Sequence, residues 1–205
     1  MLTLYYSPNA CSLAPHIALR EAGIEPGLVR VKGRAPAPKM AGDVEYATIT
    51  PKNYVPALRL EDGSVLTECV AVLAYAGDLG GRTGLAPAAG TPARYRMYEW
   101  LGYINSELHK GFGPFFAPGY SDDQKAAGRA ALGRKLDFVQ RSLGDGPWLG
   151  GGQFTVADAY LFTVLGWLRF IDVDLAQWPT LQAYHERAAA RPAVQAAMKA
   201  EGLVK

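Results

Sequence analysis

Every strand-like run in this 205-residue chain falls before residue 70, and beyond residue 92 the pattern is helical with no convincing strand. That asymmetry constrains the fold more than any composition figure. A sheet and its crossover helix must close within the first eighty residues, and the remainder must build a helical core of its own. Gly80-Gly-Arg-Thr-Gly84 and Pro87-Ala-Ala-Gly-Thr-Pro92 are rich in breakers and mark the linker. The expected division is a small α/β domain over 1–81 and an all-helical domain over 88–205.

Leu2-Thr-Leu-Tyr-Tyr6 reads as a short buried strand. Ser7-Pro8-Asn9 breaks it, and Ser12 to Ala22 follows as a helix with Leu13, Ile17 and Ala18 on one face, closed by Gly23. Leu28 to Lys32 supplies a second strand and completes a βαβ unit. Residues 33–54 read as irregular, with Ala35-Pro-Ala-Pro38 a stiff exposed stretch. Ala57-Leu-Arg-Leu60 and Ser64-Val-Leu66 alternate around Asp62-Gly63, a hairpin signal, and Thr67-Glu68 opens a helix to about Leu79. In the second half, Leu132, Leu136, Val139 and Leu143 share one helical face behind Ser121-Asp-Asp123. Another helix starts at Thr155, and Trp178-Pro179 and Arg191-Pro192 punctuate two final ones.

The 21 Lys and Arg against 19 Asp and Glu leave a net charge of +2, so neither a polyanion-binding tail nor a disordered chain is at hand. No nucleic-acid partner is expected. Two cysteines, Cys11 and Cys69, are too few for a disulfide framework, and three scattered histidines have no zinc spacing, so no metal is expected. The N-terminus has no basic region followed by an apolar stretch, and the longest apolar-leaning run, Ala159 to Leu168, is half a membrane span. A cytoplasmic location with no membrane partner is the expectation.

Three places carry chemistry. Cys11 lies between a strand end and a helix start, where unpaired N–H groups and the positive helix end favour a thiolate; an inert buried thiol is equally compatible with the position. A thioredoxin-type dithiol needs a second cysteine three residues on, and that residue is Ala14. Chemistry at Cys11 is therefore expected to be monothiol, with an external thiol as partner. Tyr54-Val55-Pro56-Ala57 places a proline at the start of a strand. A cis bond there turns the Val55 backbone outward to pair with an extended peptide, although trans is the ordinary form. Thr67-Glu68-Cys69 opens a helix whose free N–H groups suit a carboxylate, and Thr67 is equally a plain cap. In a βαβ-ββα arrangement the three loops converge at one sheet edge. They offer a thiolate, a backbone edge and a carboxylate-binding helix end, which together suit glutathione.

On these residues the chain resembles the cytosolic glutathione S-transferases, most closely the bacterial beta class. The resemblance spans essentially the whole chain. It rests on Tyr6-Ser-Pro-Asn-Ala-Cys11-Ser12, Pro51-Lys-Asn-Tyr-Val55-Pro56-Ala57, Leu66-Thr67-Glu68, Glu107-Leu-His109-Lys-Gly-Phe112 and Phe154-Thr155-Val-Ala-Asp158-Ala-Tyr-Leu-Phe. It implies a thioredoxin-like N-terminal domain followed by an all-α domain. It further implies Cys11 near the glutathione sulfur, where beta-class enzymes can form a mixed disulfide, with Tyr6 and Ser12 beside it. Val55 would pair with the cysteinyl backbone next to a cis Pro56, and Glu68 and Cys69 would hold the γ-glutamyl end. His109 would reach the sulfur as donor or base, and Ser106 and Glu107 on the same segment would help to bind glutathione. Lys39, with Arg34 in reserve, is the candidate for the glycyl carboxylate.

The chain departs from the family with Cys69 in place of a serine or small residue, and with Gly102 where an asparagine is frequent. Phe112, Phe115, Phe116 and Trp167 are candidate walls for a small hydrophobic electrophile, or simply core. Thr155 and Asp158 form a capping-box variant concerned with folding. The leading function is conjugation of glutathione to hydrophobic electrophiles, by a homodimer that buries the surface around Arg94 to Glu107. The alternatives are glutathione-dependent disulfide or peroxide reduction through Cys11, and ligand binding without turnover.

Overall fold

The computed structural model describes residues 1–33 and 37–204, so Arg34 and part of the Ala35–Pro38 stretch lie outside the described residues. The chain divides into two compact units, residues 1–86 with 190–205, and residues 87–189.

The first unit is built on a six-stranded sheet. Strands β1 (Thr3–Tyr6), β2 (Gly27–Lys32), β3 (Met40–Ala41), β4 (Val44–Glu45), β5 (Ala57–Arg59) and β6 (Val65–Thr67) lie in the order β4-β3-β2-β1-β5-β6. Helix α1 (Leu13–Glu21) crosses between β1 and β2, which are parallel, and every other pairing is antiparallel. Leu4 sits opposite both Leu28 and Leu58. Alternation turns Leu4 and Leu58 to one face, while Tyr5, Val31, Ala41, Tyr46 and Ala57 form a buried cluster on the other. Both faces are covered, which is why the β1 run reads as continuously apolar. The hairpin between β5 and β6 closes at Gly63, with φ of 87°, and Asp62 Oδ1 accepts the Ser64 N–H at 2.9 Å.

The stretch expected to be irregular contains the β3–β4 hairpin and a 3₁₀ turn, Tyr46–Thr48. Two-residue strands are too short to show a period of two, so sequence pattern could not find them. Helix α2 (Cys69–Leu79) packs on α1. Its N-cap is Glu68 rather than Thr67, and no side chain caps it there.

The second unit is helical: α3 (Pro92–Tyr103), a π-helical segment Ile104–His109, a 3₁₀ turn Lys110–Phe112, α4 (Gly113–Phe116), α5 (Asp122–Leu143), α6 (Val156–Leu165) and α7 (Pro179–Ala189). Leu132, Leu136, Val139 and Leu143 are buried along α5, and Ser121 with Gln124 forms a capping box at its start. Every residue of α6 is buried, so this helix is the axis of the unit.

The last helix, α8 (Pro192–Ala200), belongs with the first unit, where it packs on α1. The sequence division had grouped it with the helical domain. Breaker residues mark where a chain turns, and they carry no information about which surface a terminal helix returns to.

Candidate functional site

The loop between β1 and α1 is closed by its own polar groups. Ser12 Oγ accepts the Ser7 N–H at 3.1 Å and donates back to the Ser7 carbonyl at 3.2 Å. Ser12 is fully buried, and its hydroxyl holds the loop through Ser7. Tyr6 is also a packed residue, with its ring 6.4 Å from that of His16. Asn9 adopts a left-handed φ of 58°, and its N–H donates to Glu201 Oε2 at 3.0 Å.

Cys11 emerges from this loop partly accessible. Its thiol donates to the Val55 carbonyl at 3.3 Å, across a separation of 44 residues. The peptide bond that follows Val55 is cis at Pro56, the form implied by the resemblance. Hydrogen bonding from the Cys69 thiol holds Cys11 below the usual thiol range, helped by the backbone N–H groups of residues 11 and 12 and opposed by burial and the Glu68 charge. Cys69 is the first residue of α2, buried, and its thiol donates to the Cys11 carbonyl at 3.6 Å.

The segment before Pro56 is pinned from two sides. Lys39 Nζ donates to the Asn53 carbonyl at 2.7 Å and lies 5.3 Å from the Tyr54 ring centre. The Tyr46 hydroxyl donates to the Tyr54 carbonyl at 3.0 Å, and burial pushes its pKa well up. Asn53 has a left-handed φ of 55°, and its buried Oδ1 has no hydrogen-bond partner. Glu68 has a φ of 72°, a strained value for a residue with a Cβ. Lys52 Nζ bridges it at 2.7 Å and the Thr67 hydroxyl at 3.1 Å. Cys11, Val55, Glu68 and Cys69 therefore come together in the first unit, with Lys39 and Lys52 on its basic side.

In the second unit the candidates Ser106, Glu107 and His109 all fall on the π-helical segment, a geometry frequent at functional sites. His109 Nδ1 lies 2.6 Å from the Tyr160 hydroxyl, which itself donates to Asn105 Oδ1 at 3.1 Å. Tyr160 has one proton to give, so Nδ1 must be the donor to it, and Nε2 is left as an acceptor. Burial, with the Lys110 charge, lowers the His109 pKa to about 4, so the ring is neutral at physiological pH.

Ser106 is exposed and reaches only Glu107, whose carboxylate pairs with Lys135 at 2.9 Å. Trp167 packs edge-on to His109 at 4.8 Å, and Phe112 stacks on Phe116 at 5.9 Å. Phe112 and Trp167 are core, while Phe116 is exposed. Gly102 has open space where a Cβ would stand. Among the described residues no group of three His, Cys, Asp or Glu side chains could hold a metal, and no helix is long and apolar enough to cross a membrane.

Residues 122–187 match the model of the glutathione S-transferase C-terminal domain. A glutathione S-transferase of Escherichia coli O157:H7, GstA, is 44% identical over 98% of this chain and 100% of its own. The chain belongs to the glutathione S-transferase family. Its fold matches a sphingomonad glutathione S-transferase complexed with glutathione at a TM-score of 0.92 and 44% identity, covering 98% and 100% of the two chains. A beta-class glutathione S-transferase of Sphingomonas chungbukensis matches equally, at 0.92 and 45% identity over the same shares.

For this glutathione S-transferase, sequence reasoning missed Lys52, Tyr160 and Glu201. Lys52 and Tyr160 lie inside the runs that carried the family resemblance, yet each acts on a partner 16 or 51 residues away. Glu201 reaches Asn9 across 192 residues, and no local signal announces it.

Proposed function

We propose that the protein conjugates the thiolate of glutathione to small hydrophobic electrophiles. The observation that carries the reading is the Cys11 thiol 3.3 Å from the Val55 carbonyl beside a cis Pro56. A thiol and a backbone acceptor are thus set side by side where a cysteinyl residue would lie. In the bound state the Val55 backbone pairs with the cysteinyl unit, releasing Cys11 to face the glutathione sulfur. The N–H groups at the start of α2 take the γ-glutamyl carboxylate, and Glu68 takes its ammonium. Lys39 takes the glycyl carboxylate, with Lys52 adding positive charge on that side. The Cys69 thiol and the backbone N–H groups that lower the Cys11 pKa are donors of the kind that activation of a glutathione thiolate requires.

For the helical unit the reading assigns His109 the role of acceptor for a thiol proton, and exposed Phe116 that of an apolar contact for the electrophile. Ser106 and Glu107 supply polar groups on the same segment. The working form is a homodimer. Support comes from Tyr95, Tyr98 and Phe138, three aromatic side chains exposed on α3 and α5; surface of that kind is frequent at interfaces.

Glutathione titration by calorimetry, combined with a conjugation assay on an activated aryl halide, tests the reading. Saturable binding with turnover is the expected result. Absence of both at millimolar glutathione, in a folded sample, overturns it.

A further inference from the structure

The pattern around Cys11 predicts a thiol that works alone, because Ala14 occupies the place of a thioredoxin-type partner. The fold supplies a second thiol from elsewhere. Cys69, 58 residues downstream, begins α2 and points its sulfur at the Cys11 carbonyl at 3.6 Å. Hydrogen bonding from Cys69 is also the largest cause of the lowered Cys11 pKa. Each sulfur stands at the N-terminal end of a helix, the environment that stabilises a thiolate. Cys11 is partly accessible and Cys69 is buried, so small disulfides meet Cys11 first.

We propose that Cys69 is the resolving thiol of a dithiol pair with Cys11, converting a mixed disulfide at Cys11 into an internal Cys11–Cys69 disulfide. The Cys11 thiolate attacks one sulfur of a small disulfide such as oxidised glutathione. A bond forms to that sulfur and the other half leaves as a thiolate. Cys69 then attacks the Cys11 sulfur, the mixed disulfide breaks, and its small half departs as a second thiolate that takes up the Cys69 proton. The protein loses two electrons and one small disulfide becomes two small thiols. The second step is intramolecular, from a sulfur that already lies 3.6 Å from the Cys11 carbonyl, so it outruns attack by a dilute external thiol. The internal disulfide occupies both sulfurs and closes the site until an external thiol reopens it.

The inference needs only access of a small disulfide to Cys11, so it stands apart from the conjugation reading. Two probes separate them: oxidised glutathione, and hydroxyethyl disulfide, which carries no peptide to recognise. Reduced protein is treated with each, then denatured and alkylated, and the intact mass is read together with non-reducing peptide maps.

The expected product with both probes is a chain lighter by the two thiol hydrogens, unalkylated, with the Cys11 and Cys69 peptides linked. Cys69→Ser should instead retain a stable adduct at Cys11, and Cys11→Ser should give no adduct at Cys69. A wild-type chain that keeps its adduct at Cys11 while Cys69 is alkylated overturns the proposal. So does a lack of reaction at both sites with hydroxyethyl disulfide. Reaction with hydroxyethyl disulfide but not with oxidised glutathione supports the pair and counts against the glutathione site. If Cys69→Ser fails to fold, the wild-type map alone decides.

Discussion

Glu201 Oε1 lies 3.0 Å from His16 Nδ1 in a fully buried contact that ties the residue after α8 to the middle of α1. Arg20 Nε donates to His16 Nε2 at 3.0 Å, so that nitrogen is an acceptor and the ring proton sits on Nδ1, facing the carboxylate. The other carboxylate oxygen receives the Asn9 N–H at 3.0 Å, two residues before Cys11. The residue after α8 thereby fixes the loop that presents the Cys11 thiol.

Glu201→Ala strands the His16 and Asn9 donors in the interior. The expected cost is about 1–3 kcal/mol for each buried donor left unpaired. Urea denaturation checks it, and a loss under about 1 kcal/mol, the value of an exposed pair, would contradict the network.

Asp158 is more than half of a capping box. Its carboxylate accepts the Leu149 N–H at 2.9 Å, the Thr155 N–H and hydroxyl each at 2.8 Å, and the Tyr184 hydroxyl at 3.0 Å. Asp158→Ala should therefore cost roughly 3 kcal/mol or more, against the ~1 kcal/mol of an isolated cap, because buried donors are left unpaired. Burial raises the Asp158 pKa, so the folded chain holds that proton to higher pH than the unfolded chain does. The contribution of this group is present at low pH and falls as pH rises through the folded value. Stability curves for wild type and Asp158→Asn should diverge with that sign.

The opposite sign applies to His109. Its pKa drops from the ordinary 6.5 to about 4, so its share of stability is full above 6.5 and is lost as pH falls through that window. The loss is on the order of 3 kcal/mol by pH 4. Denaturant melts of wild type and His109→Gln should converge as the pH is lowered. Melts that keep a constant separation would show that the ring titrates normally.

Glu68→Gly removes a Cβ from a backbone held at a φ of 72°. The expected result is a stability change between zero and about 1 kcal/mol in the favourable direction, with weaker glutathione affinity, read by paired melts and calorimetry. Clear destabilisation with intact affinity would show that Glu68 serves the fold and not the ligand.

Light scattering at micromolar concentration should return a mass near twice the chain's 22.0 kDa. Replacement of Tyr95 and Phe138 by serine should shift it toward one chain. A single-chain mass for wild type sinks the dimer.

Much of both units was legible because their strands and helices carry local signals. The β1 run, the Gly23 stop, the Asp62-Gly63 hairpin and the α5 stripe each follow from a few neighbouring residues. The β3–β4 hairpin was not legible, being shorter than any period, and neither was the return of α8 to α1. The candidate site divides the same way. Cys11, Val55, Glu68 and His109 were named from motifs, whereas the consumption of the Ser12 hydroxyl by Ser7 depended on the exact path of a loop.

Which residue types stand at the loop tips and helix starts was readable from the chain alone, because backbone geometry there is set by neighbours in the chain. The sequence could not say which of them touch. Spacing made Cys11 a solitary thiol, and tertiary structure placed Cys69 against it from 58 residues away. The motif marked His109, and the Tyr160–Asn105 chain decided which ring nitrogen keeps the proton. Contact, tautomer and pKa depend on distances across the fold, and those distances exist only once the chain has packed.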